Sequence, residues 1–576
     1  MSQPAPPPET VHPPRPLAGP PPPRSGAASP ARIVLGLALT IPAVLAWLWS
    51  YVLPTVSTVA RSFRGDGRRD ATESVGTAHY EYVLTEGFVG QLGLALLLGL
   101  VPLAVALLAA PLLAVLADRA GRAARLVTRA VLALPIAGYA PVAVLVGVRA
   151  ERVEARTFPR DLESAPAFLT SVVAQTTFGL VVAVAATLYL SALRRRSPQR
   201  RPAPAMAAVA GLLTLGVLAT SLQAYTAPAV LTNGMPQGES ATPVFGAVQA
   251  TFQMGRAGVG SAMSTLLLVL LGLLGLVAVG LILATRLRVE FDGWRDRPVG
   301  GPTDAPATRR PQFVGLLALA LVVVVGVTGW AAAPWLRHLF SGTENLPPAV
   351  ETSTVLVNTW LPPLVSTLVS VLLAALAGFG IGALRPLGRY SELLLVPFAP
   401  WLFVGTGPLL FAGFERTRDL DQLNSFLGLI PPVWLSVPAL FAFTLLFRGQ
   451  HARWRAGGGL GRTLLLPALP MLAVTALLTW LTHAQQLLWP LVVASARPHL
   501  TAPVLAQMQN LTQRFGADAE GVLGLVLPLP LLLLFVLSFV VLGVGYLERL
   551  AIRVGRETGD DTASGGADAA VGKVTA

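Results

Sequence analysis

Residues 223–253 read QAYTAPAVLTNGMPQGESATPVFGAVQATFQ, and residues 485–513 read QQLLWPLVVASARPHLTAPVLAQMQNLTQ. Aligned on their opening glutamines, Pro228 answers Pro490. Aligned on the later proline, Pro243 answers Pro503, Gln249 answers Gln509 and Gln253 answers Gln513. Apolar, proline-rich sequence matches itself easily, but here polar glutamines recur as well. A match spread over this length marks two related halves of one chain. Each copy follows a hydrophobic helix and precedes the last long apolar run of its half.

Working outward, the rest of the chain is as apolar as these stretches. Its 576 residues are 53 % hydrophobic and only 12 % charged, about half the charge of a soluble protein. Charge-free apolar runs long enough to cross a bilayer recur along it. The fold class expected is all-α and polytopic, with about twelve transmembrane helices arranged as two parallel six-helix repeats. The spans fall near 33–55, 92–117, 124–148, 168–192, 205–226 and 260–285 in the first half. In the second they fall near 313–333, 354–384, 391–412, 426–447, 463–482 and 522–548. Proline-rich residues 1–30 read as a disordered cytoplasmic arm. Residues 31–290 form the first half, 291–312 a Gly/Pro linker, 313–556 the second half and 557–576 a disordered tail.

There is no cysteine, and the six histidines are scattered, so neither a disulfide framework nor a metal site is expected. The net charge of +13 comes from arginine, Lys573 being the single lysine. In a soluble chain that balance points to nucleic acid. Here the arginines sit in short loops of one parity between apolar runs, which is the orienting bias of membrane insertion and places both termini in the cytoplasm. The partner is then the lipid bilayer and no nucleic acid is expected. Ionisable groups are almost absent from the spans. That argues against a proton- or sodium-driven carrier and against a membrane enzyme built on paired carboxylates or metal. No phosphate-binding loop occurs, so no catalytic residue and no cofactor are expected, and any ATP hydrolysis belongs to another chain.

Several stretches carry a resemblance: PAVLAWLWSYVLPTVSTVARSF at 42–63, LLAVLADRAGRAARLVTRAVLALP at 112–135, and residues 222–264 in the first half. In the second they are NTWLPPLVSTLVSVLLAALAGFGIGAL at 358–384, LNSFLGLIPPVWLSVPALFAFTLLFRG at 423–449 and LLWPLVVASARPHLTAPVLAQMQN at 487–510. In order and spacing the chain resembles the transmembrane permeases of sugar-type ABC importers, two subunits joined in one chain. The resemblance implies import of a carbohydrate-like solute by alternating access, in the bacterial cytoplasmic (inner) membrane. It also implies an extracytoplasmic solute-binding protein and cytoplasmic ATP-binding subunits as partners.

The family's cytoplasmic E-A-A coupling loop is missing from both halves. The corresponding places hold ALRRRSPQRRPAPAMAAVAGL at 192–212 and RGQHARWRAGGGLGRTLLLP at 448–467. Arg194, Arg195, Arg196, Arg200 and Arg201, with Arg448, Arg453 and Arg455, are therefore the residues expected to meet an ATPase. The loss also opens a different reading, a non-transporting scaffold derived from a permease. A third reading, a major-facilitator-type secondary carrier, comes from LADRAGRAAR at 116–125, although Ala114 stands where that signature has glycine. On the substrate path, polar and aromatic groups at span ends are the candidates: Gln223 and Tyr225 after the fifth span, and Trp480, Gln485 and Trp489 after the eleventh. Amides offer both donor and acceptor to hydroxyls, and aromatic faces pack on the apolar faces of sugar rings. Interfacial anchoring is the other role such residues take.

Overall fold

The computed structural model describes residues 30–66, 73–154, 165–194, 202–235, 240–292, 311–340, 350–494, 496, 498–512 and 520–555. These are almost wholly helical. A chain this apolar gains no water to satisfy its peptide groups within a bilayer, so the backbone pairs with itself inside each segment. Among the described residues nine helices are long and apolar enough to cross a membrane, or ten when one bent pair counts as a single span. The chain is a multi-pass membrane protein. The proline-rich arm before residue 30, most of the linker and the tail from residue 556 lie outside the described residues.

In the first half the spans are α1 (Pro30–Ser62), α2 (Phe88–Arg119), the pair α3 (Arg122–Ala137) and α4 (Pro141–Glu154), α5 (Ala165–Leu193), α6 (Ala203–Leu222) and α7 (Ala257–Thr285). Strand β1 (Arg288–Phe291) follows. In the second half they are α8 (Gln312–Arg337), α9 (Thr352–Leu384), α11 (Gly461–Ala484) and α13 (Leu529–Gly545). Helices α10 (Val437–Arg455) and α12 (Ala502–Thr512), too short or too polar to cross, lie between them, and strand β2 (Leu550–Arg553) follows.

Four expected spans differ. The run at 522–548 is split: a short helix, Glu520–Val526, ends before Pro528, and the span begins at Leu529. The run at 124–148 is broken: α3 and α4 meet at 74° around Gly138–Ala140. Pro141 cannot continue the hydrogen bonding of the preceding turn and biases the residue before it away from helix. The run at 391–412 is a 3₁₀ segment, Gly388–Trp401, a break, and a helix Leu410–Asp419. Pro397, Pro400, Gly405, Gly407 and Pro408 leave no uninterrupted stretch for an α-helix there. The run at 426–447 becomes helical only at Val437, after Pro431 and Pro432. Its apolar part ends at Phe447 and spans about 16 Å, too short for a hydrocarbon core of about 30 Å. Conversely α9, at 33 residues, is about 50 Å long and overshoots the membrane.

The halves interlock by exchanging their first helices. The Pro30–Trp47 part of α1 packs on α9 of the second half, and α8 packs on α2, α4 and α5 of the first. At the α1–α9 crossing Gly36 faces Gly380 so closely that a Cβ on Gly380 would sit 2.6 Å from the Gly36 carbonyl oxygen. Small residues allow such close approach of helices that have no hydrophobic drive to associate in lipid. Polar stitches follow along α1. The Tyr51 hydroxyl donates to the Leu435 carbonyl at 3.1 Å, the Trp434 amide to Ser50 Oγ at 2.9 Å, and Trp401 Nε1 to Thr55 Oγ1 at 3.0 Å. The last helices exchange too: α13 packs on α3, and α7 on the Gly388–Trp401 segment.

One end of the bundle is closed by β1 and β2. They pair antiparallel, Arg288 opposite Arg553 and Phe291 opposite Leu550. Around this ribbon lies a set of ion pairs. Glu290 accepts from Arg288 at 2.9 Å, and Asp292 is shared by Arg194 (3.2 Å) and Arg453 (3.7 Å). Glu548 accepts from Arg125 at 3.0 Å and Arg129 at 2.9 Å. Glu392 holds Arg448 (3.0 Å) and Arg385 (3.2 Å). At the same end His451 Nδ1 donates to the Ala383 carbonyl at 2.8 Å. Burial first, and the charge of Arg385 second, push its imidazole from 6.5 down to about 4. A base that is neutral in the fold but protonates when unfolded loses stability as pH falls. Stability should therefore drop between about pH 6.5 and 4, and unfolding of His451→Asn across that window should show a shallower drop.

Candidate functional site

A cavity of about 890 Å³ is lined by α2, α3, α4, α5, α6, α8 and α13. That is the size of a small-molecule site. It lies inside the first half, completed by the exchanged α8 and the incoming α13. The break between α3 and α4 makes room for it: Gly138, Tyr139 and Ala140 face the cavity where a straight helix would fill it. No charged side chain lines it among the described residues.

The polar groups are grouped by depth. Arg194, just past α5, reaches the ribbon through Asp292, and Gly211 near the start of α6 touches Leu281 near the end of α7. The last turns of α5 and the first of α6 therefore lie at the ribbon end. The lining on that side is Val184 and Leu188 of α5, with Leu212 and Leu213 at the middle of α6. Toward the far end polar groups appear among the apolar ones: Thr176, Thr177, Thr220, Ser221, Gln223, Tyr225 and Thr226, with Tyr139 at the bend and Thr328 of α8 packed beside Gly179. Thr176 and Leu188 are about 18 Å apart along α5, so the cavity is long as well as large.

Most of these polar hydrogens are already committed. Thr176, Thr177, Thr220, Ser221 and Thr328 each donate to a carbonyl one turn back, at 2.6–2.9 Å. Gln223 Nε2 donates to the Ala219 and Phe403 carbonyls at 2.9 and 2.7 Å, while its Oε1 accepts from the Gly405 amide at 2.7 Å. The end of α6 is thereby tied to the broken segment of the second half. Tyr225 stacks on Phe245, ring centroids 5.8 Å apart.

The five path candidates therefore separate. Gln223 and Tyr225 line the cavity. Trp480, Gln485 and Trp489 do not. Trp480 Nε1 donates to the Trp360 carbonyl at 2.8 Å, inside a cluster with Trp360 and Phe535. Gln485 Nε2 donates to the Val526 carbonyl at 2.9 Å, and Trp489 Nε1 to the Gly428 carbonyl at 3.1 Å. Trp489 lines a void of only about 10 Å³, room for a single water. Of the arginines, Arg194, Arg448 and Arg453 are spent on Asp292 and Glu392, and Arg455 is exposed. Arg195, Arg196, Arg200 and Arg201 lie outside the described residues.

The two repeated stretches meet each other. Pro228–Thr232 is one π-helical turn, and α12 lies against it through side chains. Gln507 Nε2 donates to the Ala229 carbonyl at 3.0 Å and Asn510 Nδ2 to the Val230 carbonyl at 3.1 Å. Arg149 of α4 completes the seam, donating to Asn510 Oδ1 at 2.8 Å. Gln507, Asn510 and Arg149 are all buried. Sequence reading singled out Gln509 and Gln513 here and passed over these three, and it passed over Tyr139. The signal for Tyr139 was present: Pro135 and Pro141 bracket a Gly-Tyr-Ala inside one apolar run.

Comparison with protein-family models, with curated proteins and with solved structures returns no match to this chain. The seam makes its own prediction. Asn510→Ala removes an amide from a buried guanidinium and should cost about 1.5–3 kcal/mol in chemical unfolding of the bilayer-embedded protein. Gln509 Oε1 is buried with no partner, so Gln509→Leu should cost much less, or stabilise.

Proposed function

We propose that the chain is the membrane permease of a solute transport system, its two halves forming a parallel repeat that works by alternating access. The observation that carries this reading is the uncharged cavity of about 890 Å³ inside a bundle whose halves have exchanged their first and last helices. Such exchange makes each half part of the other's wall, so a relative movement of the two opens or closes the cavity as a unit. The lack of charge in the lining favours a neutral solute, because an ion there would be left without a counter-charge in a medium of low polarity.

In this reading ATP is hydrolysed by separate cytoplasmic subunits, and an extracytoplasmic binding protein delivers the solute. The resemblance to sugar-type importers is the basis for both partners and for a carbohydrate-like solute. The ribbon end is the inner gate. A second reading, a permease-derived scaffold that moves nothing, draws support from one observation: Arg194, Arg448 and Arg453 face internal acids and not the outside.

Purification from native membranes should bring down an ATPase, and reconstitution of the pair should give ATP-dependent uptake. Recovery of the chain alone, with no uptake, selects the scaffold. The gate has its own test in a chain that contains no cysteine. Val289 and Ile552 are paired across the ribbon, so the double variant V289C/I552C should crosslink on oxidation. Uptake should then fall about tenfold or more and return on reduction. Full uptake through the crosslinked ribbon would show that this end does not open.

A further inference from the structure

We infer that the cavity takes an uncharged single-chain amphiphile, an alkyl chain carrying a small non-ionic head, and not a carbohydrate. As a statement about what is transported, this rests on the permease reading above but replaces the carbohydrate-like solute that the resemblance implies; as a statement about binding it rests on neither.

Three observations carry it. The first is length: the cavity runs about 18 Å along α5 within about 890 Å³, room for an extended alkyl chain where a sugar is compact. The second is polarity by depth. The ribbon-side part is walled by Val184, Leu188, Leu212 and Leu213, with nothing to hydrogen-bond. The far end carries Tyr139, Tyr225 and the hydroxyl row. An amphiphile would lie with its chain toward the ribbon and its head at the two tyrosines.

The third is hydrogen-bond supply. A sugar buries several hydroxyls, each costing free energy unless it is partnered. Here five of the six threonine and serine hydroxyls have already donated to their own helices, and both ends of the Gln223 amide are occupied; Thr226 alone has made no such bond. What remains is a set of acceptor lone pairs, the Thr226 hydroxyl and two phenol groups. That suffices for one or two hydroxyls of a small head but not for a ring of them. A charged head is disfavoured for want of any ionic partner in the lining.

The test uses the full chain in nanodiscs, without detergent, ATP or partners. Radiolabelled monoacylglycerol should bind saturably at one site. Gly216 and Gly329 line the cavity, and a Cβ on either would meet nothing within 4 Å. Gly216→Phe and Gly329→Phe therefore fill the cavity without a backbone clash, and each should weaken binding about tenfold or more. Gly280 on α7 is equally open at its Cβ and lies away from the cavity, so Gly280→Phe should leave binding unchanged. Tyr225→Phe should weaken the monoacylglycerol several-fold and leave a plain alkane probe unaffected.

Glucose should not displace the label, and the fatty-acid anion of the same chain length should bind at least about tenfold more weakly. Displacement by glucose, equal binding of the anion, or binding indifferent to both cavity-filling variants would each overturn the proposal. Mass spectrometry of lipid retained by the wild-type chain but lost from Gly216→Phe would identify a bilayer lipid as the source. Binding only of added monoacylglycerol would identify a free amphiphile. Either supports the shared chemistry. Failure of ATP-dependent uptake leaves this result standing, and absence of binding overturns it even where uptake is found.

Discussion

A polar group that leaves water for the interior of a bilayer has to find its partner inside the same chain, and almost every feature of this protein follows from that. It makes the backbone helical. It sends the hydroxyls of Thr176, Thr220 and Thr328 back onto their own helices. Where helices break, side chains take over the unsatisfied groups: Gln223 closes the gap between the end of α6 and the Phe403–Gly405 break, and Gln507 and Asn510 meet the carbonyls of the Pro228–Thr232 turn. The breaks and the amides are two sides of one arrangement, because the irregular backbone is tolerated only where protein surrounds it.

The same constraint governs charge. Arginines cluster at the ribbon end, but the ones described there do not simply face water. Asp292 joins Arg194 of the first half to Arg453 of the second, and Glu548, at the end of the second half, holds Arg125 and Arg129 of the first. Removing one partner of such a pair strands a buried charge, which costs more than the pair contributes. The pairs therefore specify one arrangement of the halves at this end. The cavity, by contrast, has no charged side chain in its lining among the described residues.

The exchange of first helices gives the cavity its wall. Without α8 the groove between α2, α4 and α5 would stand open, and Gly179 and Gly147 make the docking close: Thr328 lies against the one and Pro334 against the other. Gly36 and Gly380 do the same for α1 in the second half. These contacts join residues far apart in sequence, and the cavity exists only once both helices have crossed over.

How much was legible beforehand follows from the range of each interaction. Apolar length and the scarcity of charge determine membrane helices locally, so the all-α, multi-pass class and most span positions could be read from the chain itself. Proline and glycine placement also acts locally, and the breaks at 138–140 and 402–409 carried that signal. The repeat at 223–253 and 485–513 placed two related stretches but not their meeting, because Gln507, Asn510 and Arg149 become partners only when the halves dock. For the same reason Trp480, Gln485 and Trp489 looked equivalent to Gln223 and Tyr225 by position. Packing separated them, one set facing a long cavity and the other fastening α11 to its neighbours. Sequence by itself determined where the chain could cross the bilayer, since that depends on residues within one helix. Only the tertiary structure decided where it is hollow, since a cavity is defined by what several distant helices leave unfilled.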